Sequence, residues 1–339
     1  MANNKGLGLQ QSKGYFQARG IVNGVDRDNF YKEITTKSGK PMRMINFGLE
    51  IEKGKSIYIS LNGMERDKVF FSKREDGKTI TKDVKWSERN TFKEKDYRLI
   101  GVNLGLEKVL GSDGNSQNKK MTLVEFDACK YINEHLEDGM SVFVRGSIEY
   151  STYKDKHQIK FVPQQISLCK DIDFEDEKYE PIAAFEQDIV LTGITKNKDD
   201  GNFVLSAKTI GYNSVEDVEM KMEGRLEKLA KNLKKNSDFV AMRVSGNIAV
   251  TQNVEEVEDD EDDEWGDPNP MKSAYAPTTR ELFVVHVDKD TVDKELYSEE
   301  EIEQAIAKVK SANQSKDDFG DDSEWETLST AADDEDEEW

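Results

Sequence analysis

The amino-acid sequence predicts a mainly β protein, with two tandem five-stranded Greek-key barrels, short helices and a disordered acidic C-terminal tail. Three observations predict this architecture: strand-like alternation of apolar residues, one order of strands and a helix that occurs twice, and a shift of charge along the chain. Residues 1–170 carry 30 bases and 22 acids, whereas residues 251–339 carry 7 bases and 31 acids. Such asymmetry predicts a polyanion-binding body that bears an acidic arm.

The first barrel is expected at residues 14–170, after a flexible start at residues 1–13. Its predicted order is three strands, one amphipathic helix and two strands: residues 15–22, 43–51, 57–61, 122–136, 142–150 and 159–168. Residues 68–98 interrupt this order as a basic inserted hairpin, in which Glu75-Asp76-Gly77 is a turn signal. Pro163 favours an edge or an end for the last strand, because proline cannot donate a ladder hydrogen bond.

The same order returns at residues 183–297, which predicts an internal duplication. Its predicted elements are residues 188–194, 203–210, 215–222, 226–233, 242–248 and 280–287. Gly246 and Ile248 match Gly146 and Ile148, and a helix precedes this strand in both copies. The alternative is that V-x-G-x-I is simply a sequence pattern that is common in β-strands.

The end of the chain is predicted to be acidic and largely unstructured. An acidic loop at residues 255–270 precedes the last strand of the second barrel. Ser298 and Glu301 form a capping box that predicts an amphipathic helix at residues 298–310. Residues 311–339 have the composition of a disordered tail.

Five strands with one helix before the fourth are the layout of the OB-fold, a small Greek-key barrel that binds oligonucleotides. With its Gly-containing first strand, its basic loop at 23–41, its strand Val142–Ile148 and its acidic C-terminus, the chain resembles single-stranded DNA-binding proteins, most plausibly a bacteriophage type. The resemblance implies a non-catalytic protein that coats single-stranded DNA in replication, recombination or repair. It also implies an acidic, aromatic-ended tip that recruits partner proteins.

Three acidic runs contain tryptophan, at residues 259–265, 321–326 and 333–339. A solvating tail has little need for tryptophan, which is a preferred anchor in a partner's pocket. The partner-binding residues are therefore predicted in the terminal run: Asp333, Asp334, Glu335, Asp336, Glu337, Glu338 and Trp339.

Aromatic and basic residues of the first barrel are the candidate DNA contacts, because single strands are held by phosphate contacts and base stacking. From the first strand and the basic loop these are Arg19, Phe30, Tyr31, Lys32, Lys37, Lys40 and Arg43. From the later strands and the insertion they are Tyr58, Lys85, Trp86, Arg89, Phe143 and Arg145. From the last turn they are Tyr150, Tyr153, Lys154 and Lys156. Alternatively, Tyr58, Phe143 and Arg145 lie on a part of the barrel surface that the insertion or the second barrel covers. The alternative role of Trp86 is to attach the inserted hairpin to the barrel.

Other function classes have less support. The three histidines are scattered, no nucleophile or phosphate-loop motif is present, and the cysteines Cys129 and Cys169 have no metal-ligand spacing, so no enzyme, cofactor or metal is expected. The cysteines fit a reducing cytoplasm, which would be the host's if the protein is viral. No apolar run is long enough for a membrane span. Two alternatives remain: an acidic scaffold or DNA mimic, and RNA binding by the same barrel. The second copy is expected to be structural, dimerising or partner-binding, and a homo-oligomer is possible.

Overall fold

The computed structural model describes residues 6–111, 114–153, 156–235, 239–252 and 278–317. The expected acidic loop at 255–270 lies outside this part of the chain. The first half contains β1 Gly14–Asn23, β2 Tyr31–Thr35, β3 Pro41–Glu52, β4 Lys55–Met64, β5 Lys68–Glu75, β6 Lys78–Lys85, β7 Arg98–Leu99, β8 Val102–Gly105, β9 Lys108–Leu110, β10 Ser116–Asn118, β11 Met121–Leu123, α1 Glu125–His135, β12 Ser141–Tyr153 and β13 Lys156–Leu168. The second contains β14 Ile182–Lys196, β15 Phe203–Ile210, β16 Val215–Met222, α2 Glu227–Lys234, β17 Val240–Gln252, β18 Thr278–Asp293 and α3 Glu299–Asp317.

Five strands of the first half close into a barrel. The ring runs β1-β3-β4-β13-β12 and returns to β1, with β4 and β13 parallel and the other pairs antiparallel. Apolar residues that alternate along these strands, including Phe47, Ile59 and Val144, are buried in its core. Phe16 and Phe161 meet edge-to-face there, with ring centroids 5.0 Å apart. The helix α1 precedes the fourth ring strand, as the OB-fold layout requires.

The second half repeats this ring as β14-β15-β16-β18-β17, again with a parallel pair between its third and fifth strands. The prediction of a mainly β protein with two OB-like barrels is therefore confirmed. The match between Gly146 and Gly246 has a structural explanation. Both rings shift register immediately before Gly146 or Gly246, and a Cβ there would overlap the carbonyl oxygen of Val162 or Phe283. Each glycine is required by a β-bulge in the same strand of its ring.

The two barrels are joined through their first strands. β1 pairs antiparallel with β14, and Phe16 lies opposite Phe185. Equivalent strands paired in this way give a local two-fold relation, like the interface of a symmetric dimer. The last hairpin of each barrel also reaches the third ring strand of the other: Thr152 Oγ1 donates to Glu216 Oε2 over 2.7 Å, and the Arg280 guanidinium lies 4.1 Å from the Tyr58 ring.

The helix boundaries correct the sequence prediction in two places. The helix expected from residue 122 begins at Glu125, because residues 121–123 pair with β8 as a short strand. The capping box is present, since the Glu301 amide donates to Ser298 Oγ and the Ser298 amide donates to Glu301 Oε2. However, α3 continues to Asp317, beyond the predicted end at residue 310 and into the segment predicted to be disordered.

The inserted segment forms its own three-stranded sheet in the order β6-β5-β7. Its turn has positive φ angles at Asp76 and Gly77, as a tight two-residue hairpin needs. One face of this sheet packs against the start of α1 in a small apolar cluster made of Val69, Phe71, Val84, Val124 and Phe126. The insertion is therefore fixed to the first barrel.

Candidate nucleic-acid interface

The predicted DNA-contacting loop is partly structural. Phe30 is 4% exposed and belongs to the barrel core, so no base can stack on it. Arg43 forms an ion pair with Glu33 at 3.1 Å, and its guanidinium lies 3.8 Å from the Phe126 ring. Both residues were predicted to contact DNA; Phe30 is instead buried in the core, and the Arg43 side chain is engaged by Glu33 and Phe126 within the protein.

The remaining loop residues stay nearer the surface. The Tyr31 hydroxyl donates to Glu33 Oε2 over 2.8 Å, and burial followed by this bond raises the pKa of Tyr31 to about 12. Lys40 pairs with Asp67 at 3.1 Å. Lys32 is half-buried and Lys37 is exposed. Lysine heads of this hairpin can reach phosphate, whereas Phe30 is buried and the Tyr31 hydroxyl is bonded to Glu33.

The Trp86 group has the structural role that was its alternative. Arg89 donates to both carboxylate oxygens of Asp127, at 2.7 and 3.1 Å, and its guanidinium lies 4.3 Å from the Trp86 ring. Trp86 in turn meets Phe126 with ring centroids 5.9 Å apart. The bidentate pair and the aromatic contact attach the insertion to α1, which leaves Lys85 as the exposed member of this group.

In the predicted turn site, the first aromatic residue, Tyr150, is half-buried. The Tyr150 hydroxyl is buried and has no hydrogen-bond partner among the described residues, and burial raises the pKa of Tyr150 above its ordinary value. A base cannot reach this hydroxyl, although the residue as a whole is half-buried. Lys154 lies outside the described residues, and Tyr153 and Lys156 are described only by their backbone pairing.

Three outward-facing candidates are partly covered. The Arg19 guanidinium donates to the Glu180 carbonyl over 3.4 Å and lies 5.5 Å from the Tyr179 ring. Phe143, opposite Arg19 in the sheet, is half-buried. Tyr58 is 38% exposed, but Arg280 of the second barrel occupies one face of its ring.

Arg145 is the candidate that the structure places in a concave site. It lines a cleft of about 850 Å³ beside the junction of the two barrels, which we call the junction cleft. Members of this cleft used below are Tyr15, Gln17, Ile100, Asn103, Glu125, Arg145, Ser147, Glu149, Gln164 and Glu186. Arg145 is exposed, and no ion pair of its side chain is found in the described part of the chain.

The sequence prediction missed Tyr15, the exposed aromatic of the junction cleft. Tyr15 is 43% exposed and lies opposite Ser147, while Gln17 lies opposite Arg145. Tyr15 and Arg145 are therefore diagonal neighbours on one face of β1 and β12. A phenol ring and a guanidinium at this spacing can stack on a base and contact its phosphate. In β1 the exposed Tyr15 alternates with the buried Phe16, and this alternation was the signal available in the sequence.

The junction cleft is mixed in charge. Glu125, Glu149 and Glu186 line it together with Arg145, beside the neutral amides of Asn103 and Gln164. Carboxylates and amides can hydrogen-bond to the exposed edges of unpaired bases. The cleft thus combines one cation, which could contact a phosphate, with several groups that can hydrogen-bond to bases.

Comparison with known proteins places the chain in a family. A model of the YorF family matches residues 72–322, more than half of the chain. The chain belongs to the YorF family. No curated protein matches this YorF-family chain.

Two solved structures resemble the YorF-family chain weakly. An engineered deletion mutant of the single-stranded DNA-binding protein from Thermus aquaticus is 11% identical, with a TM-score of 0.38, and the match covers 82% of this chain and 94% of that one. The wild-type protein from the same organism is 11% identical with a TM-score of 0.37, covering 82% and 93%.

Other predicted features of the YorF-family chain lie elsewhere. The terminal run 333–339 is outside the described residues, so its partner-binding role stays a prediction. Across the residues that the structure describes, no cluster of histidine, cysteine, aspartate or glutamate has the grouping of a metal site. In the same residues, none of the helices has the length and apolar character needed to cross a membrane.

Proposed function

We propose that this YorF-family protein binds single-stranded DNA without catalysing a reaction, and that the first barrel makes the contacts. The observation that supports this most is the diagonal pair of Tyr15 and Arg145 on the outer surface of an OB-type ring. OB-folds are common scaffolds for oligonucleotide binding. An exposed aromatic side chain beside an exposed basic side chain is the minimal unit for base stacking and phosphate contact.

The distribution of charge favours the first barrel over the second. Residues 1–170 carry a net charge of +8, whereas residues 171–250 carry 11 bases and 16 acids. Phosphate contacts release counterions and supply much of the affinity of such proteins. The net positive half is therefore the half expected to bind a polyanion.

The proposal extends to replication, recombination or repair, with the protein coating exposed single strands and the acidic tip recruiting partners. The support is the sequence resemblance and the tryptophan-ended run at 333–339. Deleting residues 333–339 should leave DNA affinity equal or higher, because negative charge is removed, and should abolish partner pull-down. A truncated chain that loses DNA binding contradicts a separate role for the tip.

The test is a fluorescence titration of the full chain with oligo-dT, a hairpin duplex and a matched RNA, at about 50 and 200 mM salt. We expect preference for the single strand over the hairpin, with affinity that falls as salt rises. Tighter binding of RNA than of oligo-dT would contradict DNA as the ligand and indicate an RNA-binding protein. Equal binding of duplex, or no binding, would favour the acidic scaffold alternative and overturn the proposal.

A further inference from the structure

The sheet of the insertion has two faces of different character. Its inner face carries Phe71 and the other residues of the apolar cluster on α1. Two lysines of this inner face are held in ion pairs: Lys73 pairs with Glu75 at 2.9 Å, and Lys82 pairs with Glu94. The inner face is thus a small apolar core beside two lysines that are paired with glutamates.

The opposite face is covered by no comparable apolar cluster among the residues that the structure describes. We define the outer face by residues that alternate with the inner ones along the three strands: Lys68, Phe70, Arg74, Lys85, Arg98 and Ile100. Phe70 is 45% exposed and Ile100 is 50% exposed. The Ile100 amide donates to the Phe70 carbonyl over 2.8 Å, so these two apolar side chains are neighbours on one face.

Basic residues surround this apolar pair. Lys68 is paired with Asp83 at 2.6 Å. Arg74, Lys85 and Arg98 are exposed, and the described residues provide no ion pair for them. Asp96 shares a shallow pocket with Arg74 and Arg98 without forming an ion pair there. Residues 68–98 as a whole carry 10 bases and 6 acids, so the insertion is net positive.

The outer face continues the junction cleft. Ile100 lines that cleft and also lies beside Phe70. A chain leaving the cleft at Ile100 would next meet Phe70, in the middle strand of the sheet. Arg74 lies four residues further along this strand, about 13 Å away at the usual rise of a β-strand. One surface therefore links the exposed rings of Tyr15 and Phe70 with cations on both sides.

We propose that the outer face is a second contact surface for single-stranded DNA, which extends the junction cleft. Phe70 stacks on a base, and Arg74, Arg98 and Lys85 contact phosphates on either side. The charge of the face selects a polyanion, and the exposed phenyl ring selects unpaired bases, because bases in a duplex are stacked on one another. This inference rests on the proposed DNA-binding function.

The first test compares two apolar truncations on the same sheet in the full chain. Phe70→Ala should weaken oligo-dT binding by about 5- to 150-fold, the range for losing one aromatic–base stack. Ile80→Ala is the matched control, because Ile80 is 39% exposed and lies on the inner side of β6. The control should stay within about twofold of wild type, since an isolated surface side chain adds little. Thermal melting of each variant checks that the insertion stays folded.

The second test separates phosphate contacts from stacking. Arg74→Ala combined with Arg98→Ala should make the slope of log affinity against log salt shallower by about 1.4, because each single-strand phosphate contact contributes about 0.7. Lys78→Ala combined with Lys95→Ala removes the same charge from exposed sites outside the outer face and should change the slope less. Phe70→Ala should leave the slope unchanged.

The outcomes distinguish this inference from the function on which it rests. A wild-type chain that does not bind oligo-dT removes the proposed function itself. A wild-type chain that binds, with Phe70→Ala no weaker than Ile80→Ala, overturns the outer face alone. Equal salt slopes for the two double variants overturn its phosphate contacts.

Discussion

The two barrels have the same strand topology but differ in the side chains on their surfaces. Both have the same strand order, the same parallel pair and the same bulge glycine. The first presents an exposed Arg145 in the junction cleft. In the second, Arg243 is held by Asp188 at 2.7 Å and Glu186 at 3.5 Å. We therefore expect the two barrels to differ in function, because binding depends on the side chains placed upon the fold.

The largest expected effect tests what the barrels share. Gly146→Ala and Gly246→Ala should each lower the free energy of unfolding by about 3 kcal/mol, because a methyl group would overlap a backbone oxygen across the bulge. Urea unfolding followed by circular dichroism measures this. Gly193→Ala is the control, since the nearest atom to its Cβ would be 3.9 Å away. If either bulge variant matched this control, the two glycines would not be equivalent.

The next effect tests where the barrels differ. Arg145→Ala should weaken oligo-dT binding about tenfold, because it removes one charged hydrogen bond to phosphate. Arg243→Ala should leave affinity within about twofold and instead lower stability by about 1 kcal/mol, since Asp188 and Glu186 lose their partner. Paired anisotropy titrations and urea melts measure both quantities. Reversed affinities would assign DNA binding to the second barrel.

The smallest effect concerns a residue whose predicted contact the structure removes. Tyr150→Phe should leave oligo-dT affinity unchanged and raise the free energy of unfolding by about 1 kcal/mol, because it deletes a buried hydroxyl with no partner among the described residues. The same titration and melt suffice. A clear loss of affinity would return Tyr150 to the DNA interface.

The sequence was sufficient to predict the ring and its repeat. Alternation predicted the strands that bury Phe47 and Val144, and the match of Gly146 with Gly246 predicted the duplication. These features follow from local periodicity and from backbone needs at single positions. Local patterns also predicted the capping box of α3, because its partners are three residues apart.

The candidate site was harder to predict, because its residues depend on distant partners. Arg43 is engaged by Phe126, and Tyr58 is covered by Arg280 from the other barrel. Alternation shows that a side chain points outward, but the element that covers it comes from elsewhere in the chain. The same limit hid Phe70, whose exposure is evident only once the insertion folds as a three-stranded sheet.

The most direct test of the account is photo-crosslinking of oligo-dT to the full chain, with the crosslinked peptides mapped by mass spectrometry. The account predicts crosslinks within residues 14–170, including peptides that contain Tyr15, Arg145 and Phe70. Crosslinks confined to residues 183–297 would contradict it, because the second barrel would then be the one that binds single-stranded DNA.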